Sequence, residues 1–269
     1  MNGYRYVILD PTGNLTALVL DPVPPEEQAE VTRELLRVSE QVAFLHPASG
    51  PDAEASIRLM GGEFCGNAAM ASAAWLTRDR LEPGEETALF LEVSGAKEAV
   101  PCRIRRTEED FEGTVRMPPV LGVTEEEYFG MPMTAVRMEG ILHLILEGQQ
   151  PEKEHAEHLL KRIAGILPDE AIGLLQWNRE QRILRPLVYV RSCGSMVWEN
   201  GCGSGSAAVG VREALNRGEG ITETEIRQPG GTIRAAAVIR DGRADQVTIT
   251  GKVRIGREGE IQPKNNPSS

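Results

Sequence analysis

The chain has 269 residues, of which 41% are hydrophobic and 26% charged, and its formal net charge is −11. This composition is typical of a globular protein with one large domain or two small ones. An acidic chain without a Lys/Arg cluster is a poor ligand for nucleic acid, and no run of 18 apolar residues predicts a membrane span. We therefore predict no nucleic-acid or membrane partner. The N-terminus lacks the pattern of a secretion signal, so we expect a cytoplasmic protein.

The first half of the chain predicts strands and helices in mixed order. Hydrophobic periodicity and turn residues place these elements. The predicted strands are 4–9, 16–20, 42–45 and 57–60. A helix is predicted over 25–42, and a second one starts at Cys65 and ends near Pro83.

The second half predicts the same order again. Its strands are predicted at 134–138, 142–146, 172–176 and 187–191. A helix is predicted over 151–167, and another starts at Cys202 and ends near Gly218. Late strands are predicted at 115–117 in the first half and at 247–249 in the second, with one more at 252–255.

Two segments of similar sequence mark the matching position in each half. Residues 63–74 and 200–210 both contain Cys-Gly, a polar residue and then a run of small residues, and Cys65 and Cys202 are 137 positions apart. The period is too long for a solenoid. We predict an α+β fold of two pseudo-symmetric duplicated domains with the active site between them. Their predicted bounds are 1–118, which a strand from 252–262 would complete, and 119–255, followed by a flexible tail at 263–269.

A cysteine directly before a glycine at a helix start has distinct chemistry. The first N–H groups of a helix lack intrahelical partners and carry the positive end of its dipole. They can bind a carboxylate, and they can lower the pKa of a thiol towards neutrality. Cys65 and Cys202 on opposite sides of one amino acid could therefore act as a paired base and acid at its α-carbon.

The remaining candidates for the site are polar residues and glycines, several of them within or next to these segments. Cys102 and Cys193 lack the helix-start context, so we expect them to be structural. The sequence contains no C-x-x-C pair, so we expect no metal site. Proton transfer by two cysteines requires no cofactor. The predicted substrate-binding residues are Asn14, Gly66, Asn67, His143, Glu199, Asn200, Gly203 and Ser204.

Three other interpretations remain open at this point. Cys65 and Cys202 could be inert buried thiols beside tight turns. Residues 201–208 could form a nucleotide-binding glycine loop, although the match to G-x-G-x-x-G is imperfect and leaves the Cys65 segment unexplained. The chain could also bind a small amino acid without catalysing any reaction.

At these residues the sequence resembles the cofactor-independent, two-cysteine racemases and epimerases of the diaminopimelate epimerase type. The resemblance covers nearly the whole chain and is strongest at Gly13-Asn14, at residues 65–67 and at residues 202–205. It implies that each half is a β-barrel-like sheet around a central helix, with each cysteine at a helix start. It also implies a homodimer, and a substrate carboxylate held by the backbone N–H groups of Gly66, Asn67, Gly203 and Ser204.

The departures from that family concern the substrate. The Gly-Asn-Pro-His element is matched only in part by residues 140–143, where Ile141 replaces Asn and His143 is retained. The Glu-Arg-Gly segment that precedes the second cysteine in diaminopimelate epimerases is absent from residues 191–200. Proline racemases carry Cys-Gly-His at the first site, where this chain has Cys-Gly-Asn.

Residues 11–16, 60–68 and 199–205 look like the histidine racemases that supply D-histidine to staphylopine-type metallophore synthesis. We therefore predict a PLP-independent amino-acid racemase that interconverts L- and D-histidine. With this substrate Glu40 and Glu63 could contact the imidazole, although solvation is the simpler expectation for each. The alternatives are a diaminopimelate epimerase, which converts the LL form to meso, and a non-catalytic amino-acid-binding protein.

Overall fold

The structure is a computed structural model that describes residues 3–148, 150–192 and 194–262. Cys193 and the predicted tail at 263–269 lie outside these residues. Within them the fold is mixed and rich in sheet, with sixteen strands and four helices. None of the helices in these ranges has the length and hydrophobicity needed to cross a bilayer. The chain divides into unit 1, Met1–Val115 with Gly251–Ser269, and unit 2, Arg116–Thr250.

The strands of unit 1 form a closed ring. The order is β1-β2-β3-β4-β5-β6-β7-β16, and β16 also pairs antiparallel with β1, from Tyr4 opposite Ile261 to Pro11 opposite Val253. The elements are β1 (Tyr4–Pro11), β2 (Thr16–Val19), α1 (Pro25–Leu35), β3 (Gln41–His46), β4 (Ala55–Leu59), α2 (Gly66–Thr77), β5 (Glu86–Val93), β6 (Val100–Arg106), β7 (Phe111–Arg116) and the end of β16 (Arg243–Ile261).

Helix α2 is the central helix of unit 1. Nearly all of its side chains are buried, and it contacts β1, β2, β4, β5 and β6. A helix that is apolar on all sides must be surrounded by other elements, and its many alanines let the strands approach closely. Helix α1 is amphipathic instead and covers the sheet through Val31 and Leu35, which pack with Val42 and Phe44.

Unit 2 contains the same kinds of element, in the strand order β16-β15-β14-β12-β11-β10-β9-β8 with β13 paired to β12. Helix α4 contacts β9, β10, β11, β14 and β15, whereas α3 packs on a second core through Leu160 and Ile163. The elements are β8 (Val120–Tyr128), β9 (Met131–Met138), β10 (Ile141–Glu147), α3 (Lys153–Ala164), β11 (Ala171–Asn178), β12 (Ile183–Val190), β13 (Ser195–Trp198), α4 (Gly203–Arg217), β14 (Gly220–Gln228), β15 (Gly231–Arg240) and the first part of β16.

Three predicted bounds differ from the structure for identifiable reasons. The helix predicted over 25–42 ends at Leu35, because Val42 belongs to β3 and pairs with Ala17 of β2. The helix after Cys65 ends at Thr77 rather than near Pro83, and the side chain of Arg78 donates to the carbonyl of Trp75 in its last turn. The strands predicted at 247–249 and 252–255 form one continuous strand, β16.

Candidate active site

Cys65 is the N-cap residue of α2. Its backbone is extended, with φ −135° and ψ 112°, and the N–H of Ala68 donates to its Sγ at 3.5 Å. The thiol therefore occupies the position where Ser or Asp commonly satisfies a helix-start N–H. Cys65 is half-buried, whereas Gly66 and Asn67 in the first turn are buried. Helix geometry leaves the first N–H groups of this turn without intrahelical partners.

Cys202 caps α4 in the same manner. Its backbone is again extended, with φ −102° and ψ 107°, and the N–H of Gly205 donates to its Sγ at 3.3 Å. A Cβ at Gly205 would lie 3.0 Å from that sulfur and 3.0 Å from Leu175 of β11, so only glycine fits without displacement. Cys202 is 3% exposed, and Gly203 beside it is buried.

Unit 2 brings three of its predicted site residues, Ser204, His143 and Glu199, to the surroundings of the Cys202 sulfur. The hydroxyl of Ser204 lies 3.7 Å from Sγ, and the same hydroxyl lies 3.0 Å from Nε2 of His143 on β10. Glu199 makes a side-chain hydrogen bond with the thiol. Asn200 is exposed on the segment that leads to the cysteine.

The surroundings of Cys202 raise the pKa of its thiol well above the ordinary value. Burial is the largest cause, followed by the charge and hydrogen bond of Glu199, while the N–H of Gly205 and the hydroxyl of Ser204 act in the opposite direction. The prediction of a thiol pKa near neutrality is therefore wrong for Cys202 in this structure. Removal from water and the nearby carboxylate favour the neutral thiol. Together they outweigh the hydrogen bonds at the helix start, which favour the thiolate.

His143 is completely buried, and burial lowers its pKa to about 3, so the ring is neutral at physiological pH. Opposite it in the parallel β10–β11 pair lies Gly173, where a Cβ would come within 2.3 Å of Nδ1. Among the described residues, Nδ1 has no hydrogen-bond partner. His143, a predicted substrate-binding residue on β10, thus contacts Ser204, two residues after Cys202.

The other predicted residues of unit 1 lie on its turns. Asn14 lies in the connection between β1 and β2, in which Thr12 and Gly13 both have positive φ, and it is 8% exposed. Its Oδ1 is buried and has no hydrogen-bond partner within the described part of the chain. The side chains of Glu40 and Glu63 are exposed. Cys102 lies on β6 in the core, where burial raises its thiol pKa to about 12, as expected for a structural cysteine.

The sequence interpretation missed the residues that hold the cysteine segments in place. Ser94 accepts a hydrogen bond from the N–H of Leu59 at 2.9 Å and donates to the carbonyl of Glu63 at 2.8 Å. In unit 2, Gln228 accepts from the N–H of Cys202 at 2.8 Å. Each directly follows or ends the strand after its cysteine helix, next to the turns at Gly95 and Gly230. Ser94-Gly95 and Pro229-Gly230 are turn sequences, but a sequence pattern does not reveal the hydrogen-bond partners of these side chains.

Comparison with solved structures gives the class of fold. The chain is similar to a probable proline racemase from Agrobacterium radiobacter K84, with a TM-score of 0.72 and 16% identity, over 98% of this chain and 94% of that one. At this identity the likeness shows the fold alone, which is the fold of proline racemases and related epimerases.

Comparison of sequences gives the family. The family described as Histidine racemase CntK N-terminal domain matches residues 4–262, and the chain belongs to it. A histidine racemase of Fusobacterium nucleatum is 27% identical over 95% of this chain and 95% of its own length. One of Staphylococcus aureus is 26% identical over 91% and 92%. The protein is therefore an enzyme of the isomerase class.

Proposed function

We propose that this protein is a PLP-independent racemase that interconverts L- and D-histidine, with Cys65 and Cys202 as its acid–base pair. The observation that carries the proposal is the shared local geometry of the two cysteines. Each is an extended N-cap residue whose sulfur accepts the third N–H of a buried helix. An inert core thiol such as Cys102 does not need this arrangement, and its occurrence twice at Cys-Gly supports a common role.

The proposed reaction moves one proton onto the α-carbon and one proton off it. A thiolate takes the α-proton, and the electron pair of the broken C–H bond delocalises into the substrate carboxylate. The opposed thiol then gives its proton to the other face of the carbanion and becomes the thiolate. The surroundings of Cys202 favour its thiol form, which suits the residue that gives up its proton to the carbanion.

The substrate carboxylate gains negative charge in this transition state. In the proposal it is bound by the backbone N–H groups of the first helical turns, at Gly66 and Asn67 and at Gly203 and Ser204. Donors that are already oriented before the reaction stabilise such charge without reorganising. The same N–H groups lie at the positive ends of the helix dipoles, which favour an anion.

Histidine is proposed as the substrate because the family and the relatives from F. nucleatum and S. aureus carry that name. The departures from the diaminopimelate epimerase pattern at Ile141 and at residues 191–200 agree with it. A role in metallophore synthesis follows from the same resemblance. We also propose that the two units arose by duplication, and that the enzyme is a cytoplasmic homodimer.

The test is to incubate the reduced protein with L-histidine in D₂O without PLP. Uptake of deuterium at the α-carbon is followed by NMR, and formation of D-histidine by chiral chromatography. L-Proline and LL-diaminopimelate are assayed in parallel. We expect exchange and inversion with histidine. Absence of both with every amino acid would contradict the racemase proposal, and activity on diaminopimelate alone would favour the epimerase.

The cysteine assignment has its own variants. Cys65→Ser and Cys202→Ser should each reduce racemisation by about 10³-fold or more, because neither hydroxyl is acidic enough to replace the thiol. The matched control is Cys102→Ser, at a buried cysteine whose replacement hydroxyl can donate to the carbonyl of Val100, as the thiol does at 3.6 Å. Full activity in either of the first two variants would refute the pair.

A further inference from the structure

Gln228, the last residue of β14, is hydrogen-bonded at both ends of its side-chain amide. Its Oε1 accepts from the N–H of Cys202 at 2.8 Å, and its Nε2 donates to Oγ of Ser206 at 2.8 Å. Gln228 as a whole residue is 8% exposed. The N–H of Cys202 can only donate, so it determines which end of the amide is the oxygen.

Ser206 completes the connection back to the cysteine. Its hydroxyl donates to the carbonyl of Cys202 at 2.7 Å, and its backbone N–H donates to the same oxygen at 3.0 Å. Ser206 is fully buried. One buried chain of hydrogen bonds therefore runs from the N–H of Cys202 through Gln228 and Ser206 to the carbonyl of Cys202.

A second bond holds the segment just before the cysteine. The N–H of Gly230, two residues after Gln228, donates to the carbonyl of Asn200 at 2.8 Å. Residues 228–230, where β14 turns into β15, therefore form hydrogen bonds to the backbone of both Asn200 and Cys202. A cap residue has non-helical backbone angles and few backbone bonds of its own, so such external bonds decide its orientation.

We infer that Gln228 is the positioning residue of Cys202: it holds the backbone of the cysteine so that Sγ keeps one fixed place at the start of α4. The inference rests on the two-cysteine reaction proposed above. Gln228 acts through the peptide of Cys202 and through Ser206. A displacement of about 1 Å of a reacting group can reduce a rate by roughly 100-fold, so loss of this bond should appear mainly in kcat.

The test compares three variants in unit 2. Gln228→Leu removes the hydrogen bonds to Cys202 and Ser206 with little change in side-chain volume. Ser206→Ala removes the hydroxyl that links Gln228 to the carbonyl of Cys202, and it leaves Gln228 in place. The matched control is Gln176→Leu, at a fully buried glutamine whose Nε2 donates to the carbonyl of Pro151 at 2.8 Å. Thermal unfolding of each variant reports its general loss of stability.

For histidine racemisation we expect Gln228→Leu to lower kcat by about 10- to 100-fold with KM changed by less than about threefold. Ser206→Ala should lower kcat by less, and the double variant should lose no more than Gln228→Leu alone, because both residues act through one chain of bonds. Equal kcat losses in Gln228→Leu and Gln176→Leu at equal thermal stability would overturn the inference. If Gln228→Leu does not fold, full kcat in Ser206→Ala would overturn it.

A readout that does not depend on activity separates this inference from the proposed function. With ¹⁵N-cysteine the chain has four labelled amides, and the signal of Cys202 is the one lost in Cys202→Ser. Hydrogen exchange of that amide should accelerate by about tenfold or more in Gln228→Leu and should not change in Gln176→Leu. Activity retained by Cys202→Ser would refute the reaction, whereas unchanged exchange in Gln228→Leu would refute the positioning role.

Discussion

Nε2 of His143 lies 3.0 Å from Oγ of Ser204, the second residue of the helix that Cys202 caps. The ring is neutral, and its Nδ1 faces Gly173 without a partner among the described residues. A buried N–H without a partner is rarer in proteins than an unpaired acceptor, so we assign the proton to Nε2. The hydroxyl of Ser204 then accepts from His143 and can donate to Sγ of Cys202, at 3.7 Å.

Ser204→Ala removes a hydroxyl that lowers the pKa of Cys202. The thiol pKa should therefore rise, and the limb of the kcat/KM profile that reports Cys202 should move to higher pH. At pH 7 we expect a loss of activity of about three- to tenfold. The control is Ser72→Ala, at a fully buried serine of α2, which should leave the profile in place. A shift to lower pH in Ser204→Ala would contradict the assigned direction of the hydrogen bond.

Glu199→Gln should have the opposite effect. The carboxylate raises the pKa of Cys202 through its charge and its hydrogen bond, and the amide removes the charge. The same limb of the kcat/KM profile should then move to lower pH. Glu180→Gln, at an exposed residue of the β11–β12 turn, removes an equal charge and serves as the control. Coincident profiles for the wild type and Glu199→Gln would show that Glu199 does not act on the thiol.

Gly173→Ala should destabilise the protein because the new methyl group would lie 2.3 Å from Nδ1 of His143. Overpacking of this kind lowers the free energy of unfolding by about 1–3 kcal/mol. Gly122→Ala, at a strand glycine with open space around it, should change it by less than about 0.5 kcal/mol. Urea unfolding measures both. In a background of His143→Ala, which removes the ring, Gly173→Ala should cost much less of the free energy of unfolding. Strictly additive effects of the two substitutions on this free energy would exclude the clash.

The neutral state of His143 should make folding stability depend on pH. Burial holds its pKa at about 3, whereas unfolded histidine titrates near 6.5, so between these values the unfolded chain binds a proton that the folded chain does not. This contribution is fully present above about pH 6.5 and is lost as the pH falls, by up to about 1.4 kcal/mol per pH unit.

The variant for this measurement is His143→Gln, which lacks the titrating ring. Its free energy of unfolding should fall less steeply between pH 6.5 and 4.5 than that of the wild type, while His158→Gln, at an exposed helix position, should follow the wild type. Parallel curves for His143→Gln and the wild type would exclude a depressed pKa.

Ser94→Ala tests whether the hydrogen bonds of Ser94 hold the segment that leads to Cys65 in place. The hydroxyl joins the N–H of Leu59 to the carbonyl of Glu63, so its loss leaves two backbone groups without this partner. We expect the free energy of unfolding to fall by about 1–3 kcal/mol and kcat to fall by about tenfold. Ser49→Ala, which removes an exposed hydrogen bond to Glu92, is the control. Unchanged kcat in a folded Ser94→Ala variant would show that Cys65 does not depend on the hydrogen bonds of Ser94.

The two helix starts could be predicted from the sequence because an N-cap is a local structure. Cys65 and Cys202 are each followed by glycine and a run of small residues, which favour a tight start and a closely packed helix. The end of α1 could not be read in this way. Val42 fits the helical spacing as well as the strand, and only its pairing with Ala17, 25 positions away, decides between them.

The sequence by itself therefore determined where the two cysteines lie, which helices they begin and which family the pattern resembles. Only the tertiary structure decided their environment. It brings Gln228 to the peptide of Cys202 from 26 residues away, and His143 to Ser204 from 61 residues away. It also buries the thiol of Cys202 beside Glu199, so that the pKa of the thiol rises. Capping depends on neighbours in the chain, whereas desolvation and hydrogen-bond partners depend on strands that meet only in the folded protein.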